Sequence, residues 1–384
     1  MRPADLDNVV KTGAGLFYSL ARKAALYFVL FVLAGCAQAM SGPGSSGAIV
    51  LVNLRMSPDG NVVAFEYYDT RFIAPADVRA GRKHRGLGLL EWRTDRLTRI
   101  PNPAGRQLSA PSWSYDGKRL AAAMGKYGSL APTQIVVIDM PDFTVTEVIG
   151  KDPVKGDGHY LVKTSPVFQP ETGNILYVES EYGRIPMHYR LFDPRDGNDR
   201  VVLPKEQGFY SLLSQPCFIG RDEIIFQAIG PKNREFEKIV IELASSPGVP
   251  VTYRLKFGEE IQFYFPELDR RKSVLDPQIT GITASAGGRI VIGIRKSLSE
   301  PENAQGKYNL EIFRIDQGRL TQLTKLRSYL ANSTVAYNGS TVAFGADPTR
   351  QRVLDLSILD MTTGTVTPTG LRKRIEQHPD FALR

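Results

Sequence analysis

From residue 48 to residue 370, apolar positions fall in short β-rich runs separated by clusters of Gly, Pro, Asp and Asn. No long stretch keeps helical spacing, so the pattern predicts strands joined by turns. The clearest units are Arg55–Phe65 and Pro111–Ala121, each a strand, an Asp-Gly turn and a second strand. Asp-Gly suits a two-residue hairpin, because Gly tolerates positive φ and Asp bonds its own backbone. Degenerate copies follow at Ser165–Tyr177, Gln215–Phe226, Ile282–Ile292 and Val335–Phe344. A third strand is predicted after each hairpin: Leu87–Trp92, Gln134–Asp139, Met187–Asp193, Lys238–Leu243, Leu310–Asp316 and Leu354–Asp360. A fourth is predicted at Arg96–Ile100, Thr144–Ile149, Arg200–Leu203, Val251–Phe257, Arg319–Leu323 and Thr365–Pro368. Asp139, Asp193, Asp316 and Asp360 each end a third strand just before a turn and are expected to bond turn backbone.

The units recur with a period of about fifty residues, the signature of a repeat architecture. Four strands per unit at that period predict an all-β fold, a six-bladed β-propeller of four-stranded blades. Ala48–Val52 belongs either to the last blade, as an outer strand closing the ring, or to the first.

The unit Pro111-Ser112-Trp113-Ser114-Tyr115-Asp116-Gly117-Lys118-Arg119-Leu120-Ala121, with its following strand ending in Asp139, resembles the repeat of the TolB-type (WD40-like) six-bladed propellers. Ser57–Phe65 is similar, and the likeness extends over about residues 48–370. The resemblance implies the fold and relates the chain to the Tol-Pal propeller. It leaves function open, because the same blades serve Tol proteins, peptidase domains and sensors. TolB itself carries a separate N-terminal α/β domain before its propeller, for which this chain leaves no room.

The N-terminus has another character. Arg2, Lys11, Arg22 and Lys23 precede the apolar run Ala24–Val32, and then comes Leu33-Ala34-Gly35-Cys36. The run is about a dozen residues, short of the ~20 of a spanning helix and in keeping with a signal-peptide core. The segment resembles a bacterial lipoprotein signal. That resemblance implies cleavage between Gly35 and Cys36, with acyl chains, palmitate among them, on Cys36. Two such chains suffice for stable anchoring. Ala37 and Gln38 carry no acid, which leans toward the outer membrane, on its periplasmic face. The expected organisation is a signal peptide (1–35), a lipidated tether (36–47), the propeller (48–370) and a loose basic tail (371–384).

Composition adds limits. The net charge of +8 is dispersed along the chain, and no aromatic-basic interleaving suggests nucleic acid. With Cys36 lipidated, Cys217 has no disulfide partner, and its apolar context reads as a buried, inert thiol. No His-Glu-x-x-His, Cys-x-x-Cys or Gly-x-Ser-x-Gly motif occurs. His84, His159, His188 and His378 are scattered and read as solvated or core imidazoles. Asp59 and Asp116 read as turn acids, and Asn332-Ser333-Thr334 as a loop. No catalytic residue, metal or cofactor is expected, and nothing sets an oligomeric state.

Two insertions are candidate contact sites. Thr70–Gly86 carries Arg82, Lys83 and Arg85, and Glu259–Pro277 carries Phe263, Tyr264 and Phe265. Aromatics dominate interface hot spots. The expectation is a lipid-anchored envelope propeller that acts as a protein or peptide interaction module. The alternatives are a channel-mouth lyase or hydrolase and a glycan or small-ligand sensor.

Overall fold

The computed structural model describes residues 49–381, apart from 70–84, 128–130, 151–159, 182–186, 204–208, 213–214, 232–250, 260–261, 264–278, 303–308, 317–318 and 350–352. Six antiparallel sheets form a six-bladed propeller. Blade 1 holds β1 (Ile49–Met56), β2 (Val62–Asp69), β3 (Arg85–Glu91) and β4 (Arg96–Ile100). Blade 2 holds β5 (Arg106–Trp113), β6 (Arg119–Lys126), β7 (Gln134–Asp139) and β8 (Thr144–Ile149). Blade 3 holds β9 (Leu161–Phe168), β10 (Ile175–Glu181), β11 (His188–Phe192) and β12 (Asp199–Val201). In blade 4, β13 (Phe209–Leu212) and β14 (Cys217–Gly220) are two halves of one interrupted inner strand, both paired with β15 (Glu223–Pro231). It continues through β16 (Val251–Lys256) and β17 (Gln262–Phe263). Blade 5 holds β18 (Thr280–Ala284), β19 (Val291–Lys296), β20 (Leu310–Asp316) and β21 (Arg319–Gln322). Blade 6 holds β22 (Tyr329–Val335), β23 (Thr341–Asp347), β24 (Asp355–Asp360) and β25 (Val366–Pro368).

Each blade is one continuous length of chain. Ile49–Met56 is the innermost strand of blade 1 and pairs with β2, so among the described residues no strand is exchanged between the first and last blades. Both faces of a blade are covered by its neighbours. Along β6, Leu120, Ala122 and Met124 pack toward blade 1, while Ala121 and Ala123 pack toward blade 3. Six apolar clusters fill the six interfaces between blades in this way. Two-sided burial explains why second and third strands such as β6 and β7 read as nearly unbroken apolar runs.

Four expectations are corrected. First, the third place in blade 4 is taken by β16, which was expected fourth. Its Tyr253 and Leu255 are buried between exposed Arg254 and Lys256, and it pairs in register with β15. Lys238–Leu243 lies outside the described residues. Second, the Asp-Gly loop has four residues, not two. The Ser57 amide donates to the Val62 carbonyl (2.7 Å), and the Val62 amide donates to Ser57 Oγ (2.9 Å). Ser57 Oγ in turn donates to Asp59 (2.5 Å), and Gly60 takes φ 79°. Ser114, Asp116 and Gly117 repeat this staple in blade 2. Burial works against the Asp59 charge, but bonds from Ser57 and Asn61 outweigh it and hold the carboxyl below its usual range. The Ser114 hydroxyl does the same for Asp116. Asp193 and Asp360 do accept from turn amides, as expected.

Third, Asn332 lies inside β22 rather than in a loop. It is one of five inner-strand residues with left-handed φ: Asn53, Ala110, Ser165, Gly281 and Asn332. Each sits at a register shift against the second strand. A bulge there bends and twists the inner strand.

Fourth, the tail is not loose. Leu371–Gln377 forms a short helix, α1, and a 3-10 turn at Pro379–Phe381 follows. Leu371, Ile375 and Phe381 are fully buried in the cluster between blades 6 and 1. The Phe381 ring lies 6.3 Å from Phe65 and 5.3 Å from Tyr67. Gly88 makes room for it, since a Cβ there would lie 2.9 Å from the Phe381 ring. Arg372 donates to the Ile49 carbonyl (2.8 Å), and its amide donates to Asp355 of blade 6 (3.1 Å). Arg374 pairs with Asp95 (2.6 Å), and Arg99 donates to the Asp380 carbonyl (2.7 Å). Leu371 and Ile375 lie one turn apart on one face of α1, and the turn after it adds Phe381 to the same burial.

Candidate functional site

The ladders place one residue of each inner strand at an equivalent register. Arg55 faces Ala64, Ser112 faces Ala121, Val167 faces Leu176, Cys217 faces Ile225, Thr283 faces Ile292 and Thr334 faces Ala343. All six line a funnel at the mouth of the central channel, with about 570 Å³ of open space, solvent at its mouth included. Its walls add Trp113, Phe168 and Phe218, and Tyr115 and Tyr337 stand one turn further out. Tyr115 and Tyr337 are stacked at 5.4 Å, and Tyr115 is 48% exposed.

The mouth is held by bonds between blades. The Trp113 indole donates to the Arg55 carbonyl (3.1 Å), and the Tyr337 hydroxyl donates to the Trp113 carbonyl (3.1 Å). The Met56 amide donates to Thr334 Oγ1 (3.3 Å). Deeper along the strands a bond reaches past blade 3. Gln215 of blade 4 donates to the Ala110 carbonyl of blade 2 (3.2 Å). The Glu66 carboxylate accepts from Asn53 (2.7 Å) and from the Ala110 amide (2.9 Å), with Arg85 at 3.5 Å.

Arg55 is the one charged residue among the described lining. Its guanidinium donates to the neighbouring Leu54 carbonyl (3.0 Å). Burial lowers its pKa, with Cys217 and Tyr337 pulling the other way. Burial pushes the Tyr337 phenol up. Cys217 is half-buried, not sealed in the core, and its thiol lies 3.6 Å from Thr283 Oγ1. Its register position, the same in every blade, places it on the channel wall. No carboxylate or imidazole belongs to the described lining. Among the described residues, no group of three His, Cys, Asp or Glu is placed to hold a metal ion.

The residues expected as sites are dispersed. Cys36, Gly35, Arg82, Lys83, Tyr264 and Phe265 lie outside the described residues, as do His84 and His159. Arg85 opens β3 and faces buried Glu66 and the Tyr68 ring. Phe263 is paired through its backbone with Tyr253. His188 is buried with Nε2 3.2 Å from Glu179, and His378 follows α1, 3.9 Å from Asp380. The funnel residues were legible only as repeat positions. Their signal is the place two residues before each first turn, where blade 1 alone carries a charge.

Among the described residues, no helix is long and apolar enough to cross a membrane. No family model matches the sequence, and no curated protein matches it. Solved structures are similar in fold. TolB from Acinetobacter baumannii is 15% identical, with a TM-score of 0.49, over 86% of this chain and 65% of that one. A puromycin hydrolase is 13% identical, with a TM-score of 0.50, over 87% of this chain and 56% of that one. An oligogalacturonate lyase in complex with manganese is 14% identical, with a TM-score of 0.49, over 84% and 81%. The chain thus spans under two-thirds of the TolB and hydrolase chains. At these identities the likeness is one of fold, which scaffolds and enzymes share.

Proposed function

We propose that this chain is a lipid-anchored cell-envelope propeller that binds a protein or peptide at the mouth of its central channel. The observation that carries the reading is the funnel. Every blade contributes to it, its rim carries the stacked Tyr115–Tyr337 pair, and its walls are apolar and aromatic. Concave, largely apolar sites with a few placed polar groups are the usual binding sites. Aromatic anchors supply most of an interface's energy. The chain binds its ligand rather than transforming it. Leu33-Ala34-Gly35-Cys36 supports anchoring through acylated Cys36 at the periplasmic face of the outer membrane.

Two measurements test this. A photo-crosslinking residue at Tyr115 in living cells is expected to yield a discrete protein adduct, absent when the same group replaces exposed Val201 on the outer edge of blade 3. Finding no adduct, together with turnover of an envelope substrate that Cys217→Ala abolishes, would replace binding by catalysis. Radiolabelled palmitate is expected on the wild type and not on Cys36→Ala. Equal labelling of both would remove the lipid anchor.

A further inference from the structure

The ring of six equivalent positions is asymmetric in charge. Five of its members, Ser112, Val167, Cys217, Thr283 and Thr334, are neutral, and the sixth is Arg55. A guanidinium offers five donors in a planar fork. The described structure uses Arg55 for a bond to Leu54, within its own strand. Its neighbours in the electrostatic sense are a thiol and a phenol, not a carboxylate. Arg55 is partly buried, and no carboxylate among the described residues pairs with it; a partly desolvated cation without a counter-ion is costly. An incoming anion gains what the protein has already spent, and Arg matches a carboxylate with two parallel bonds.

The shape limits which carboxylate enters. Ala110 in β5 and Gln215 just before β14 precede Trp113 and Cys217 on the way to the funnel, so their bond from blade 4 to blade 2 lies beneath it. A pocket floored in this way admits a chain end. A continuous segment would have to turn and leave beside itself. The Trp113, Phe168 and Phe218 walls suit apolar side chains next to that end, and Tyr115 covers the residues further out.

We infer that the funnel receives the free C-terminal carboxylate of an apolar peptide segment, with Arg55 as its anchor. This rests on the interaction-module reading and names its ligand. Charge-assisted hydrogen bonds of this kind correspond to affinity changes on the order of 10- to 100-fold.

The test uses the full-length protein in detergent on arrays of random decapeptides. One array is tethered by N-termini with free carboxylates. A second presents the same peptides as C-terminal amides, with and without internal Asp or Glu. The expected result is binding to free-carboxylate peptides with apolar final residues, at least about tenfold above their amides. Arg55→Gln should reduce binding to the amide level, and Arg55→Lys should keep part of it, since a point charge replaces the fork. Unchanged thermal unfolding of both variants separates this from misfolding. Equal binding of acids and amides, full binding by Arg55→Gln, or binding through internal acids would each overturn the inference. So would saturable binding of an acidic oligosaccharide that depends on Arg55, with no peptide bound. If crosslinking at Tyr115 still yields a protein adduct in any of these cases, the module stands and only its ligand is wrong. If neither adduct nor peptide binding is seen, both fall.

Discussion

Replacing Phe381 by Ala should unfasten the ring. The ring of Phe381 is fully buried between Phe65 and Tyr67, over the backbone of Gly88. Truncating a buried Phe costs about 3–5 kcal/mol, which includes its aromatic contacts at ~0.5–1.5 kcal/mol each. Deleting residues 371–384 should cost more, because Leu371 and Ile375 leave the same cluster and each contributes ~1.5–3 kcal/mol by burial. Urea unfolding can be followed by fluorescence, because one of the two tryptophans reports at this seam and the other at the neighbouring interface. Trp92 packs against the cluster that holds Phe381, and Trp113 packs between blades 1 and 2. Hydrogen exchange locates the effect: protection should fall first in β1 and β24, which Arg372 joins. A loss below about 1 kcal/mol, with β1 and β24 as protected as before, would refute the argument. The tail would then lie on the seam without holding it.

Further outcomes follow from single interactions. Gly88→Ala should destabilise by about 1–3 kcal/mol, the usual cost of overpacking, because its Cβ would lie 2.4 Å from the Phe65 ring; denaturant midpoints read this. The Asp59→Asn, Asp116→Asn double variant should lose about 1–2 kcal/mol at pH 7. Both carboxyls are held below their usual range, so their contribution is complete above about pH 4 and fades as pH falls through the folded values. The wild type should therefore lose stability in acid more steeply than the variant. Ala110→Gly should stabilise slightly, by up to about 1 kcal/mol, since Ala110 holds φ 50° where only Gly is free of strain; thermal unfolding checks it. Alkylation of Cys217, followed by mass spectrometry of its peptide, should be slowed by any ligand seated in the funnel, and equal rates would place the ligand elsewhere.

Most of the fold was legible because each blade repeats a local grammar. Ser-x-Asp-Gly marks the first hairpin in blades 1 and 2, and an Asp at the end of four third strands marks the next turn. Five third strands and five fourth strands lie within two residues of their expected places. Blade 4 escaped because Lys238–Leu243 and Val251–Phe257 are equally strand-like, and only pairing with β15 chooses between them. The tail escaped because its basic residues dominate the eye, while three apolar side chains do the packing. The funnel was not legible as a site. Its members are far apart in sequence and become neighbours only when six registers are superposed. Cys217 read as core because its apolar neighbours do not reveal that its register position lines the channel.

Because every blade is built from its own stretch of chain, assembly can follow synthesis, with blades stacking in the order they emerge. Blade 1 is the exception. Its free flank, Phe65, Tyr67 and Gly88, waits for Leu371–Phe381, made after all six blades. Until then blade 6 meets blade 1 with this part of their shared cluster unfilled, and a shortened product would keep that gap. The seam is a late checkpoint on completeness, and the place where a finished ring would first come apart.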